Sequence, residues 1–392
     1  MATRRNSERH AHIVGWGMAV PERVLTNIEL TSMVETSDEW IRQRTGIVER
    51  HIAGEGETTS TLSVQAARAA LEVADLDPAR LDLIIVATVT PDHAFPSTAC
   101  LVQDALGAAD AAAFDLSAGC SGFVYGVGVA ADMITSGNYR HALVIGAETL
   151  SRITDWTDRN TCVLFGDGAG AVVLQSSEAP GGVLSSVLGA DGSGGEVLIL
   201  PAGGSAQPTS AETVTTRQHF VHMQGQQVFR FATRIMPAAS RQALERADLD
   251  VQEVTLFVPH QANDRILQAA ARGLGVSEDR MFSNLARYGN TSSASVPIAL
   301  CEAIEQGKVK RDDLIVCVGF GAGLTWAAVA IRWSLPLPVP APSRRTTWWR
   351  WLRYRWARYR SHWRRLWRRL DAQMFQILYD REGRRKRRGR DG

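Results

Sequence analysis

Residues 70–77 read ALEVADLD and residues 243–250 read ALERADLD. Each ends a helix-like segment and leads into an aliphatic run, LDLIIVATV at 81–89 and VTLFVPH at 254–260. A second correspondence follows at nearly the same offset, GNYRHALVIGAE at 137–148 against GKVKRDDLIVCVGFG at 307–321. Both consist of a turn, a charged patch and then a strand of buried character. Between these landmarks Cys120 and Asn290 take matching places, each heading a small-residue, helix-like stretch. One eight-residue match can arise by chance, but three features in register mark a chain built twice.

Continuous aliphatic strands that alternate with helices indicate an α/β protein whose sheets are covered on both faces. Two duplicated halves bring their equivalent helix starts together at a common centre, which is expected to place Cys120 near Asn290. Outward from this core the chain divides further. Residues 334–343, SLPLPVPAPS, carry proline at every second position from Pro336 to Pro342. That pattern predicts an extended spacer. The expected organisation is an N-terminal half over 11–180, a C-terminal half over 181–333, a Pro-rich linker over 334–347 and a tail over 348–392.

The chain has 392 residues, 45% hydrophobic and 21% charged, as in an ordinary globular protein. No run of about 18 apolar residues is present, which excludes a membrane-spanning helix, and the basic N-terminus is followed by too weak an apolar stretch for a secretory signal. The five cysteines, Cys100, Cys120, Cys162, Cys301 and Cys317, are widely spaced and form no CxxC pair. A disulfide framework or zinc site is not expected, and a cytoplasmic location is. The net charge of +2 conceals a division. Residues 344–392 hold 18 Lys+Arg and 4 Asp+Glu, a net +14, which leaves 25 basic and 37 acidic side chains, a net −12, in the rest.

Cys120 lies in DLSAGCSGFVYGVGVAADMI, where an aliphatic segment gives way to small residues and then to a helix-forming stretch. A thiol at a helix N-terminus is expected to favour its thiolate. The same setting also suits a buried structural cysteine, the reading adopted for the other four. His260 ends the strand VTLFVPH, the strand end at which α/β sheets carry ligand sites. Asn290 stands in a Gly-Asn turn before Thr and serines, a pattern that a well-capped helix start also explains. Two glycine-rich segments, GDGAGAVVL at 166–174 and GFGAGLTWAAVAI at 319–331, lead into strand-like stretches and open no helix. They are therefore read as sources of exposed backbone N–H groups rather than phosphate cradles.

Six segments now stand in order: SDEWIRQRTGIVERHIA (37–53), the Cys120 stretch, FGDGAGA (165–171), PHQANDRI (259–266), YGNTSSASVP (288–297) and GFGAGLTW (319–326). Together they resemble the signatures of the β-ketoacyl-acyl-carrier-protein synthase III family, over roughly residues 11–333. The resemblance implies a thiolase-like α/β fold, with two duplicated βαβ halves in a layered α-β-α-β-α core. It also implies a decarboxylating Claisen condensation of an acyl-CoA primer, acetyl-CoA first, with malonyl-acyl carrier protein, initiating fatty acid biosynthesis. A specialised-metabolism condensing enzyme or acyltransferase with another primer or acceptor is the alternative.

By the same resemblance Cys120 is the nucleophile, and His260 and Asn290 are its catalytic partners. The backbone N–H groups of Cys120 and Phe320 form the oxyanion hole. Thr36, Trp40, Arg44, Arg159, Gly225 and Asn263 contact CoA or pantetheine, with the adenine held between Trp40 and Arg159. Gln261, Ala262, Asn263, Asp264 and Arg265 receive the acyl carrier protein, with Arg230 and Arg272 as weaker matches. Phe95 closes the acyl pocket of a partner subunit, which implies a homodimer. No metal or cofactor is expected, since acyl-CoA and the carrier protein are substrates.

The tail lies outside the family pattern. Apolar residues recur from Trp348 to Met374 at a helical period with arginines between them. A basic amphipathic helix carrying tryptophan is expected to meet an anionic membrane surface, and nucleic acid or the carrier protein are alternatives.

Overall fold

The computed structural model of the chain describes residues 9–335, 352, 354–356 and 359–376. Its first half runs β1 (His10–Ala19), α1 (Asp38–Thr45), α2 (Thr59–Val73), β2 (Leu83–Ala87), α3 (Thr98–Leu106), β3 (Ala112–Leu116), α4 (Gly122–Thr135), β4 (His141–Thr149) and β5 (Asp167–Ser177). The second half runs β6 (Gly182–Ala190), α5 (Gly225–Arg246), β7 (Leu256–Pro259), α6 (Asp264–Leu274), α7 (Ser295–Glu305), β8 (Leu314–Gly321) and β9 (Thr325–Arg332).

The two sheets repeat one another. The first has the order β1-β5-β4-β2-β3 and the second β6-β9-β8-β7. In both, the two central pairings nearest the first strand are antiparallel and the next is parallel. The parallel partner that β3 gives β2 survives in the second sheet only as a single bridge, Phe257 to Met281. The echo seen in the sequence is conformational as well. Asp75 and Asp248 hold the same left-handed backbone, with φ of 47° and 54°. That region is sparsely used except by Gly, Asn and Asp. Two residues on, Asp77 accepts the N–H of Ala79 and Asp250 that of Gln252, capping equivalent short turns.

Side-chain distribution fixes the layers. Helix α2 buries one stripe only (Leu62, Ala66, Ala67, Ala70, Leu71), so it covers the outer face of the first sheet. Helix α4 is apolar nearly all round, and α7 is buried from Ser295 to Ile304. Such helices fit only between two sheets, and α4 indeed packs on strands of both. Helices α5 and α6 cover the second sheet. The result is the thiolase-like α-β-α-β-α sandwich, with α4 and α7 as its central layer.

Both glycine-rich segments enter strands, β5 and β9, as their reading required. All five cysteines are free. One expectation is corrected: Cys100 is exposed, because it lies off the buried stripe of α3 (Thr98, Ala99, Val102, Leu106), with its Sγ beside the Ser97 hydroxyl. The expected linker falls outside the described residues from Pro336 onward, as do tail residues 348–351, 353, 357, 358 and 377–392. Residues 359–376 are helical. Among the described residues no helix is long and apolar enough to cross a membrane.

Candidate active site

Cys120 is the middle residue of the turn Gly119–Ser121, which runs directly into α4. In the second half the equivalent turn is Ser292–Ala294, running into α7, so the residue in the place of Cys120 is Ser293. Asn290 lies three residues earlier, and its match to Cys120 read from sequence is shifted accordingly. The expected proximity nevertheless holds. Cys120, His260, Asn290 and Phe320 line one cavity of about 140 Å³.

His260 follows β7, its backbone N–H held by the Val318 carbonyl at 2.8 Å and its ring edge-on to Phe320. It is wholly buried without a carboxylate beside it, and burial pulls its imidazole down to about 3. The ring is therefore neutral and carries one N–H. Its Nδ1 is buried without a hydrogen-bond partner among the described residues, so nothing opposes the tautomer that places the proton on Nε2. Asn290 is tied down by two backbone bonds, from its N–H to Leu164 and from the Gly166 N–H to its carbonyl. Its Oδ1 accepts the backbone N–H of Ser292 at 2.9 Å. With the acceptor engaged, the free end of the amide is the Nδ2 donor. The cavity thus places a neutral imidazole and the Asn290 Nδ2 donor beside a thiol.

Burial pushes the Cys120 thiol up to about 12; a Ser292 hydrogen bond opposes the shift and the Glu148 carboxylate adds to it. The expectation that the helix start favours the thiolate is therefore corrected, because desolvation outweighs it. Sequence reasoning missed Glu148. It is fully buried at the end of β4 and accepts from the Thr88, Thr90 and Ser293 hydroxyls and from the Val89 and Thr90 N–H groups. Its carboxyl is raised by burial and clasps the second half's turn to the first sheet. An acidic residue ending the aliphatic run VIGAE was the one available signal.

The cavity communicates in two directions. Outward, through Leu164, Met223, Gly225, Phe229 and Asn263, it meets a groove of about 680 Å³ that also carries Trp40, Arg44, Arg230 and Arg265. On another side of Cys120 lies an apolar cavity of about 200 Å³, walled by Leu150, Ile153, Leu198, Ile199, Leu200 and Val221.

Of the expected CoA residues, Trp40, Arg44, Gly225 and Asn263 line the groove. The guanidinium groups of Arg44 and Arg159 lie over the Trp40 ring, 5.5 and 5.3 Å from its centroid, and Arg159 also reaches the Glu35 carbonyl. Trp40 thus already has cations on its ring, and a flat aromatic ligand must displace one of them. The Thr36 hydroxyl oxygen is buried and has no partner among the described residues. Asn263 caps α6 through Arg265 and donates to the Arg44 carbonyl, joining α6 to the end of α1.

Of the expected carrier-protein residues, Arg265 is exposed, stacks on Phe229 and faces the groove. Ala262, Asn263 and Asp264 are half-buried. Gln261 is corrected: it is buried, donates to the Pro259 and Phe282 carbonyls and accepts from the Asn284 N–H. It braces the strand-to-helix turn from within and offers nothing to a docking partner. Arg272 is exposed but lines neither the groove nor a cavity. Phe95, 87% exposed, lines neither the Cys120 cavity nor the apolar cavity beside it.

Family models describing 3-oxoacyl-[acyl-carrier-protein (ACP)] synthase III match residues 114–192, and its C-terminal part residues 244–333. The beta-ketoacyl-[acyl-carrier-protein] synthase III of Symbiobacterium thermophilum is 57% identical over 326 residues, 83% of this chain and 99% of that protein. The crystal structure of the Aquifex aeolicus 3-oxoacyl-[acyl-carrier-protein] synthase III is 49% identical, with a TM-score of 0.76, over 82% of this chain and all of that one. The priming β-ketosynthase of the R1128 polyketide pathway is 38% identical, with a TM-score of 0.79, over 86% of this chain and all of its own. Fold and likeness together define a condensing acyltransferase of the thiolase-like class. The chain belongs to the 3-oxoacyl-[acyl-carrier-protein] synthase III family.

Proposed function

We propose that the chain condenses an acyl-CoA primer, acetyl-CoA first, with malonyl-acyl carrier protein, and that Cys120, His260 and Asn290 carry the reaction. One observation carries the reading: a buried thiol shares its cavity with a neutral imidazole and a free amide donor, where a polar groove and an apolar cavity meet.

The pantetheine arm of CoA enters along Gly225 and Asn263, with its nucleotide over Trp40, Arg44, Arg159 and Thr36. Cys120 attacks the thioester carbonyl, whose oxyanion rests on the backbone N–H groups of Cys120 and Phe320. CoA leaves as the thiol and takes up the proton that Cys120 gives up. Malonyl on the carrier protein's own pantetheine then takes the same path, received at Arg265 with Ala262, Asn263 and Asp264 around it. His260 Nε2 and Asn290 Nδ2 donate to its thioester oxygen, so that loss of CO₂ leaves a stabilised enolate. Its carbon attacks the acyl-Cys120 carbonyl, and the tetrahedral adduct expels the Cys120 thiolate. The product is a 3-oxoacyl carrier protein, formed without metal or redox cofactor.

The same reading makes the enzyme a cytoplasmic homodimer in which Phe95 closes the partner's acyl cavity. Its exposure after the Ala94 turn supports that role. It gives the basic tail an anionic membrane surface as partner. A second reading, a priming enzyme for longer or branched acyl groups, is favoured by the apolar cavity of about 200 Å³, which exceeds what a methyl group fills.

The test is incubation with a panel of radiolabelled acyl-CoAs, for wild type and Cys120→Ala, followed by malonyl-acyl carrier protein. Acetyl labelling of the wild type alone, chased into 3-oxobutyryl carrier protein, is the expected result. Preference for longer or branched primers selects the second reading. Labelling that persists in Cys120→Ala overturns the mechanism.

A further inference from the structure

We infer that the helix over residues 359–376 is an anchor for an anionic lipid bilayer, clamped to the body on the outer layer opposite the one that bears the active-site mouth. The orientation rests on the reading of the groove as the substrate entrance; the anchoring does not.

The clamp is polar. Asp104, on α3, accepts from the Ser361 hydroxyl at 2.5 Å and from Arg365 at 2.8 Å. Arg360 donates to the carbonyl of Gly107, the residue that ends α3, where a cation meets the negative end of the helix dipole. Slightly upstream, the Tyr354 ring lies under the Arg68 guanidinium of α2 at 4.4 Å. Ser361 is buried by these contacts.

An amphipathic helix on a protein normally buries its apolar side. This one does the reverse. Trp356, Tyr359, Trp363, Trp367, Leu370 and Met374 recur every three or four residues and are 43–70% exposed. Trp356, Tyr359 and Trp363 touch ring to ring, at 6.4 and 6.1 Å between centroids. Such an apolar stripe, left exposed on a helix held to the body through Arg360, Ser361 and Arg365, requires a partner.

Charge and chemistry select that partner. Residues 344–392 carry a net +14, so the tails of two copies repel each other and an anionic surface attracts. Leucine and methionine in line with the aromatics suit acyl chains below a headgroup layer, with tryptophan and tyrosine at the boundary and arginine above. Nucleic acid offers no hydrocarbon for the aliphatic part. The carrier protein is disfavoured by position. The tail sits on α2 and α3, the outer layer of the first half, whereas the groove opens at the starts of α5 and α6, in the outer layer of the second. The relative of 99% coverage aligns over only 83% of this chain.

The full chain is tested by co-sedimentation with vesicles of phosphatidylglycerol and phosphatidylcholine, against phosphatidylcholine alone, following tryptophan fluorescence. Expected are at least tenfold tighter binding to the anionic vesicles, a blue shift, and at least tenfold loss in Trp356→Ala/Trp363→Ala/Trp367→Ala and in Arg364→Glu/Arg368→Glu/Arg369→Glu. Both variants keep solution condensing activity. Absence of vesicle binding, equal binding by the variants, or displacement of the tail by carrier protein or nucleic acid in preference to vesicles overturns the anchor. Vesicle-bound enzyme is expected to keep its kcat/KM for malonyl-acyl carrier protein within about twofold; loss of tenfold or more overturns the orientation alone. An enzyme that binds vesicles but condenses nothing refutes the proposed activity and leaves the anchor standing.

Discussion

Gly321 of β8 faces the backbone nitrogen of Cys120 so closely that a methyl group on its α-carbon would stand 2.3 Å from that nitrogen. No side chain there is flexible enough to yield; backbone has to move. Gly321→Ala is therefore expected to push the nucleophile's turn out of place and lower acyl transfer to Cys120 by about 100-fold, the scale of a 1 Å misplacement. Single-turnover labelling with radiolabelled acyl-CoA measures it. An alanine variant with wild-type labelling would mean that the contact does not set the thiol's position.

Asn290 is held with its acceptor on Ser292 and its donor free. Asn290→Asp keeps the acceptor and removes the donor. Decarboxylation of malonyl-acyl carrier protein is expected to fall by about 10²–10³-fold, as for removal of one oxyanion donor. Acylation of Cys120 from acyl-CoA should persist. Trapped ¹⁴CO₂ and acyl labelling, read on the same sample, separate the two steps.

Both titrating groups of the site are held neutral. With the thiol pushed up to about 12, the thiolate fraction of the free enzyme grows about tenfold per pH unit across the neutral and mildly alkaline range. Iodoacetamide inactivation should accelerate accordingly from pH 7 to pH 10 and reach no plateau there. With His260 pulled down to about 3, the acylated enzyme's decarboxylation rate should have no inflection near pH 6.5. The sign for stability is also fixed. Below pH 6.5 the unfolded imidazole binds a proton that the native one refuses until about pH 3, so acidification across that window removes stability. Thermal melts of wild type and His260→Ala between pH 7 and pH 4 should converge as pH falls.

Arg159 and Arg44 occupy the Trp40 ring in the free groove. In the proposed complex the adenine lies between Trp40 and Arg159, and a cation stacked on it at an exposed site is worth about 0.5–1 kcal/mol. Arg159→Ala should accordingly raise KM for acyl-CoA about twofold to fivefold and leave kcat unchanged. A truncated acyl-pantetheine, which lacks the adenine, should not distinguish the variant from wild type; if it does, Arg159 acts elsewhere.

Much of this was legible in the chain because it is local and occurs twice. The ALE–ADLD echo encodes a helix end, a left-handed aspartate and a capping aspartate, all within eight residues. The aliphatic runs became strands, and Cys120, His260 and Asn290 came from family motifs that proved to share a cavity. What escaped depends on partners distant in sequence. Gln261 looks like a surface residue until its three backbone partners fold around it. Glu148 is a stray charge until Ser293 arrives from 145 residues away. The thiol's raised value reflects burial, which no motif reports. The helical period of the tail was visible, but which side would meet the body was not, since amphipathicity alone favours the other choice.

Gly321 has a counterpart across the molecule. A methyl group on Gly146 of β4 would stand 2.2 Å from the carbonyl oxygen of Ser293. Each sheet therefore gives up a side chain so that the other half's helix start can nest against it, and the fit is reciprocal. Neither half owns a complete interior, so the body should melt in one cooperative transition, and its two halves, expressed separately, should not hold their shapes. Over evolutionary time the same interlock ties the fates of the two copies. Either can diverge freely at its rim, but at the seam a change in one must be answered by the other.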